Sequence, residues 1–160
     1  MRTVIVGVGN EFRGDDGAGL AAARLLGELS SPEIEVIELD GEVTRLLDDL
    51  QDCEAAFLID AVQPQGEPGT TYRFDASHQP LPGYHDHRST HGMSLGSLLE
   101  LARTQGFLPR HVIVYGIEAA SSEHGAGLTP EVETAVHKIV REVHDELLAL
   151  KSGEKGRASS

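Results

Sequence analysis

The chain has 160 residues, and its 26 Asp and Glu residues against 13 Lys and Arg give a formal net charge of −13 at pH 7. This charge argues against binding to nucleic acid or to an anionic membrane, because both attract basic surfaces. No stretch approaches the roughly 18 apolar residues of a membrane span, and the amino terminus lacks the features of a signal peptide. We therefore expect a soluble, cytoplasmic protein and take it to be a monomer.

A short apolar run, Thr3 to Val6, predicts a buried strand that leads into a Gly/Asn turn. The turn ends in two adjacent carboxylates, Asp15 and Asp16, at the head of an apolar helix. Ligands of open α/β sheets bind at the carboxyl edge, where this turn lies. Successive helical residues point about 100° apart, so both carboxylates cannot face one site. We interpret Asp15 as the N-cap of the following helix and Asp16 as the residue left for chemistry.

The same turn partly matches a dinucleotide-binding fingerprint, because Gly7 and Gly9 supply the first two glycines of G-x-G-x-x-G. Phe12 stands where the third glycine is required. A bulky ring there blocks close helix packing, and paired Asp side chains repel phosphates. A Rossmann-like nucleotide-binding module is therefore the less favoured alternative.

Strands and helices alternate along the rest of the chain. The patterns predict a helix from Ala18 to about Leu29, followed by a strand near the sheet edge over Ile34–Leu39 that ends at Asp40. A short helix from Val43 to Leu50 comes next, then a central strand over Ala55–Asp60 and an edge strand from Thr70 to Phe74. The chain closes with a helix from about Gly92 to Gln105, a strand over Arg110–Glu118, and a final helix that Thr129 caps and Pro130 begins.

This order predicts a three-layer αβα sandwich of the α/β class. Its twisted sheet should have about five strands, mostly parallel, with one antiparallel edge strand. We expect a single domain over residues 1–151. Residues 152–160 are small and polar, which is typical of a flexible tail.

Three side chains could converge at the carboxyl edge of such a sheet. Asp16 follows the first strand, Asp60 ends the third, and His91 stands at the start of a helix. Taken singly, Asp60 could cap a turn and His91 could be an ordinary helix-start residue. Their joint position favours a site instead, and two carboxylates with one imidazole suit a divalent transition ion.

Other candidate sites are weaker. His78, His85 and His87 form a rival metal-binding set with His91, but a loop rich in Pro and Gly holds its side chains loosely, so we interpret the first three as loop histidines. Cys53, the only cysteine, allows neither an internal disulfide nor a cysteine-based zinc cluster. Its acidic neighbours should raise the pKa of its thiol, so we interpret it as a small core residue.

Several motifs, none specific alone, together resemble the NiFe-hydrogenase maturation endopeptidases. The resemblance runs in order from residue 1 to about residue 150. The motifs are Gly7-x-Gly9-Asn10, Gly14-Asp15-Asp16-Gly17-x-Gly19, Asp40-Gly41, Asp60-Ala61, Ser89-x-His91 and Gly127-Leu128-Thr129-Pro130.

The resemblance implies a nickel-dependent peptidase that removes the C-terminal extension of a hydrogenase large-subunit precursor once nickel is installed. It implies that Asp16, Asp60 and His91 bind the metal and carry the catalysis, with Asp16 in place of the Glu found in some members. The nickel is expected to come from the precursor, and Asp40 is expected to contact the substrate. A water activated by the metal or by a carboxylate would attack the scissile carbonyl. A noncatalytic nickel-binding assembly factor, with the same ligands, is the alternative.

Overall fold

The computed structural model describes residues 2–10, 12–40, 43–62, 66–81, 94–120 and 127–158. Within these ranges a 3₁₀ segment, Gly14–Gly17, follows the first strand. The other elements are β1 (Thr3–Val8), α1 (Ala18–Leu29), β2 (Ile34–Leu39), α2 (Leu46–Leu50), β3 (Ala55–Val62), β4 (Thr71–Asp75), α3 (Leu95–Gln105), β5 (His111–Glu118) and α4 (Pro130–Ala158).

The five strands form one sheet in the order β2-β1-β3-β5-β4. The neighbours β2, β1, β3 and β5 are parallel, and β4 pairs with β5 in the antiparallel sense. The predicted sheet is therefore confirmed, including the edge position of β2. The chain leaves β1 to form β2 on one side and returns to form β3 on the other. Such a reversal opens a crevice at the carboxyl ends of the central strands.

Two apolar clusters cover the two faces of the sheet. One face packs against α1 and α4, through residues such as Leu26 and Ile139. The other face packs against α2 and α3, through residues such as Leu46 and Leu98. Because side chains alternate along a strand, β3 contributes Phe57 to the first cluster and Leu58 to the second. These are the three layers that the sequence predicts.

Glycines bring α1 unusually close to the central strands. A Cβ on Gly19 would lie 2.2 Å from the carbonyl oxygen of Ile59 and 2.6 Å from that of Val8. A Cβ on Gly7 would lie 2.5 Å from the carbonyl oxygen of Gly19. The helix backbone therefore rests directly on the ends of β1 and β3, and any side chain at these positions would push it away.

Several boundaries differ from the prediction. Helix α2 begins at Leu46 rather than Val43. Helix α3 begins at Leu95, where the Ser94 side chain accepts a hydrogen bond from the Ser97 N–H, and its predicted start near Gly92 lies outside the described residues. Helix α4 continues to Ala158, beyond the predicted start of the tail at residue 152; no proline interrupts residues 152–158, although they include the poor helix formers Gly153 and Gly156. Among the described residues, no helix is both long enough and apolar enough to span a bilayer.

Candidate functional site

Asp16 lies on the 3₁₀ segment that follows β1, and its side chain is partly exposed. Two backbone hydrogen bonds fix its peptide groups: its N–H donates to the carbonyl of Arg13, and its carbonyl accepts from the Asn10 N–H, both at 3.1 Å. Gly9, at φ +148°, lies against the same carbonyl, because a Cβ there would be 1.9 Å from the Asp16 oxygen. The backbone that carries Asp16 is thus held firmly against the end of β1.

Asp60 lies in β3, level with the last residue of β1, since Val8 and Asp60 are partners in the parallel pairing. The sequence predicts that the strand ends at Asp60, but it continues to Val62. By alternation Asp60 shares a face with Leu58, which packs in the cluster under α2 and α3. Its carboxyl is partly buried at the carboxyl edge of the sheet.

The pKa of Asp60 is raised from 3.8 to about 7. Burial of the carboxyl is the largest cause, because the anion loses hydration. The negative charge of Asp16 raises the pKa further, while a hydrogen bond from the Ala61 N–H opposes the shift. The two carboxyls are therefore close enough to interact electrostatically, as predicted from the neighbouring strands. Near neutral pH Asp60 is present in both protonation states.

Asp15 does not cap its own helix, so that prediction is wrong. Neither the 3₁₀ segment nor α1 has a side-chain cap. Asp15 is instead fully buried, and its carboxylate accepts hydrogen bonds from the N–H groups of Ala120 and Thr129, at 2.7 and 2.8 Å. Asp15 thus binds groups that lie far away in the chain, while the neighbouring Asp16 is partly exposed, and the chemical role of Asp16 stays a prediction.

The other predicted site residues are distributed as follows. Asp40 is exposed directly after β2, at the same edge of the sheet, where the Leu39 carbonyl accepts a 2.9 Å hydrogen bond from the Gly9 N–H. His91 lies outside the described residues, as do His85 and His87. His78 is exposed after β4, where the Ala76 N–H bonds the carbonyl of Val112 near the start of β5. His78 is therefore at the amino edge, away from Asp60.

Within the described ranges, no three His, Cys, Asp or Glu residues come together in a way that could hold a metal ion. Asp16 and Asp60, the two predicted ligands that the structure describes, are nevertheless close enough to interact electrostatically. Two carboxyls that repel one another fit a divalent cation, because its charge relieves the repulsion. The third predicted donor stays a prediction.

Cys53 is not placed for nucleophilic catalysis. Its side chain packs against the cluster under α2 and α3, and its thiol donates a 3.0 Å hydrogen bond to the Asp49 carbonyl. Burial is the largest cause that raises the pKa of the thiol. Arg2 opposes the shift, and the charges of Glu35, Asp49 and Asp52 add smaller increases. A raised pKa disfavours the reactive thiolate, which confirms the interpretation of Cys53 as a core residue.

Comparison with known proteins identifies the chain's relatives. The family described as HycI, hydrogenase maturation protease, matches residues 21–146. The hydrogenase 2 maturation protease of Escherichia coli K12 is 25% identical over 146 residues, which cover 89% of this chain and 88% of that protein. The solved structure of the E. coli hydrogenase-maturating endopeptidase HybD superposes with a TM-score of 0.80 at 25% identity, over 96% of this chain and 94% of that one.

A third relative is the NiFe hydrogenase maturation protease HybD of Thermococcus kodakarensis, with a TM-score of 0.68 and 28% identity over 92% of this chain and 99% of that one. The E. coli and Thermococcus structures share the fold described above, and the likeness extends along almost the whole chain. The chain therefore belongs to the hydrogenase maturation protease family and is a peptidase.

Proposed function

We propose that this protein removes the C-terminal extension from a NiFe-hydrogenase large-subunit precursor after nickel has been inserted. The observation that carries the proposal is the interacting pair of Asp16 and Asp60 at the carboxyl edge of a chain in this protease family. The relatives' names support a hydrogenase as the substrate, since they include hydrogenase 2 maturation protease and NiFe hydrogenase maturation protease. In this proposal the nickel arrives with the substrate.

We assign Asp16, Asp60 and His91 as the protein's nickel ligands and catalytic residues. The repulsion between the first two supports this, because a divalent cation between them would be stabilised by both charges. Bound nickel would supply a positive charge that distinguishes precursors that have received their metal from those that have not. The carboxylates and imidazole suit nickel, which accepts oxygen and nitrogen donors.

The position of α3 supports His91 as the third ligand. Helix α3 packs on the face of the sheet to which Asp60 points, and it ends shortly before the start of β5. Near the end of α3, Arg103 donates hydrogen bonds to the carbonyls of Ala76 and Ser77 at the amino edge, so the helix begins toward the carboxyl edge. His91 precedes the cap residue Ser94 by three positions, a span of roughly 10 Å at most.

Peptide hydrolysis here needs a group that can move a proton. The reaction breaks the C–N bond of the scissile peptide, joins a water oxygen to its carbonyl carbon, and delivers one water proton to the leaving amine. We assign the proton transfer to a carboxylate of the pair that accepts one proton of the attacking water and passes it to the leaving amine. The raised pKa of Asp60 belongs to the free protein, where burial and the charge of Asp16 disfavour its anion, and a cation between the two groups would lower it.

Asp40 is proposed as a substrate contact, since it is exposed at the same edge, next to the turn that carries Asp16.

The domain limits, the monomeric state and the cytoplasmic location stay predictions. A noncatalytic nickel-binding assembly factor would use the same ligands without cutting the precursor. A nucleotide-binding module is disfavoured, because Phe12 is 65% exposed where a third glycine would pack and acidic groups follow it.

The test is to incubate nickel-loaded precursor with the wild-type protein and with Asp16→Asn, Asp60→Asn and His91→Ala, and to weigh the products by mass spectrometry. We expect the wild type to shorten the precursor and each variant to lose at least about 100-fold in rate, as expected when a reacting group is removed. The matched control is Asp48→Asn, which removes an exposed carboxylate on α2 and should cut normally.

The outcomes separate the alternatives. If the wild type binds the precursor but leaves its mass unchanged, the protein is an assembly factor and the peptidase proposal fails. If precursor without nickel is cut as fast as loaded precursor, the metal has no role in recognition. Normal cutting by His91→Ala would remove that residue from the site.

A further inference from the structure

Asp15 is a fully buried carboxylate that takes no direct part in the proposed chemistry. Its Oδ2 accepts from the Ala120 N–H at 2.7 Å, and its Oδ1 accepts from the Thr129 N–H at 2.8 Å. The hydroxyl of Thr129 also donates to the carboxylate, at 2.9 Å from Oδ2 and 3.1 Å from Oδ1. A buried carboxylate is tolerated only when it is paired in this way, so the arrangement constrains every group in it.

These bonds join three parts of the chain that are far apart in sequence. The 3₁₀ segment is linked to Ala120, 105 residues later at the exit of β5, and to Thr129, 114 residues later at the entry of α4. The negative charge also lies at the start of α4, where a helix favours an anion. Asp15 therefore holds the 3₁₀ segment against the ends of two major elements.

The backbone of Asp16 is held on both sides as a result. On one side are the hydrogen bond from Asn10 and the close approach of Gly9. On the other side is the preceding residue, Asp15, with its bonds to β5 and α4. Without the second attachment, the four-residue segment would be held only by the end of β1 and by α1, which follows it directly.

We propose that Asp15 is a positioning residue that fixes the direction of Asp16 toward Asp60 by fastening the 3₁₀ segment to the exit of β5 and the entry of α4. This inference rests on the proposed function, because it assigns Asp16 a working geometry. It differs from a simple stabilising role in that loss of the carboxylate should slow the reaction more than it weakens substrate binding.

The first variant is Asp15→Asn, which keeps the shape but turns an N–H₂ group toward one of the donors. We expect kcat to fall at least about tenfold and KM to rise by a smaller factor, since even a small displacement of a reacting group has such a cost. In the same protein, hydrogen exchange followed by NMR should show faster exchange of the Asp16 amide, while amides in the middle of β3 keep their protection. Wild-type kcat and wild-type exchange at Asp16 in the folded variant would overturn the inference.

The second variant covers the case in which Asp15→Asn fails to fold. Thr129→Val removes only the hydroxyl donor, whereas Thr129→Ser retains it. We expect Thr129→Val to lower kcat severalfold and to speed exchange at Asp16, and Thr129→Ser to restore both. The matched control is Thr134→Val on the same helix, whose hydroxyl donates to the Pro130 carbonyl and should not affect either measurement.

The exchange measurement needs no substrate, so the two proposals can fail separately. If the wild type does not cut the precursor, the proposed function fails, and the exchange data alone decide whether Asp15 fixes Asp16. If the wild type cuts normally and folded Thr129→Val matches it in both kcat and exchange, the positioning role fails and the proposed function stands.

Discussion

Asp16 and Asp60 reach one edge of the sheet from neighbouring strands, and the charge of Asp16 helps to raise the pKa of Asp60 to about 7. The two carboxyl groups therefore repel each other in the folded protein when both are ionised. Such repulsion costs stability when no cation is bound, and it makes the site receptive to one.

We expect Asp60 to make the stability of the free protein depend on pH. Its folded pKa is about 7 and its ordinary value is 3.8, so between these values the folded state holds a proton that the unfolded state has released. The contribution of Asp60 to the free energy of unfolding should therefore be largest below about pH 4 and should fall as pH rises toward 7. At one pKa unit per 1.4 kcal/mol, the loss is about 2–4 kcal/mol.

Urea denaturation of wild type and Asp60→Asn at pH 5 and pH 8 would measure this effect. Because Asn carries no charge, the variant should gain stability over the wild type at pH 8 and lose most of that gain at pH 5. Asp48→Asn serves as the control, and its stability should follow the wild type at both values. An Asp60→Asn variant that is no more stable than wild type at pH 8 would contradict the prediction.

Asp16→Asn should lower the pKa of Asp60 without returning it to 3.8. The negative charge of Asp16 is the second cause of the shift, and burial, which is the first, is unaffected by the substitution. A carbon-detected NMR titration of the Asp60 carboxyl would give both values. An unchanged pKa in the variant would mean that the two carboxyls do not interact, and it would remove the basis for a shared metal site.

Gly19→Ala should destabilise the protein by about 3 kcal/mol, because the added methyl would meet the carbonyl oxygens of Ile59 and Val8 at 2.2 and 2.6 Å. For a chain of this size that loss lowers the Tm by roughly 10 °C. Gly27→Ala is the matched control on the same helix and should cost less stability. Its added methyl would meet the Val36 side chain, at 3.2 Å, rather than backbone carbonyl oxygens. Equal melting temperatures for the two variants would show that α1 can move away from the sheet.

Asp40→Asn should raise KM for the precursor about fivefold and leave kcat nearly unchanged, the pattern expected when uniform substrate binding is lost. Because Asp40 is exposed, its replacement should leave the stability of the protein unchanged. Steady-state kinetics on nickel-loaded precursor, with Asp48→Asn beside it, would measure the effect. A fall in kcat at constant KM would instead assign Asp40 to the chemical step.

Much of the fold follows from local pattern. The apolar runs around Ile5 and Phe57 predict buried parallel strands, and the mixed run of β2 predicts an edge. The approach of Asp16 to Asp60 then follows from topology, because parallel neighbours end at the same edge. These features depend on composition and periodicity over a few residues, which a single sequence displays directly.

The partners of Asp15 could not be predicted in the same way. Two of its donors are backbone N–H groups at Ala120 and Thr129, more than 100 residues away, and every residue except proline carries such a donor. The available signal was that adjacent carboxylates must diverge, which separated Asp15 from Asp16 but did not identify what Asp15 binds. The continuation of β3 to Val62 likewise depends on pairing with β5.

The close packing at Gly9 and Gly19 limits how the distance between the carboxyl groups of Asp16 and Asp60 can change during evolution. Gly9 already lies against the carbonyl of Asp16, so the backbone there cannot move closer to β1, and a longer side chain is a simpler way to narrow the gap between the two carboxyl groups. Exchanging Asp16 for Glu would extend its reach by one C–C bond, roughly 1.5 Å, while leaving every glycine contact intact. An Asp or a Glu at this position would thus give two different distances to the Asp60 carboxyl on the same backbone.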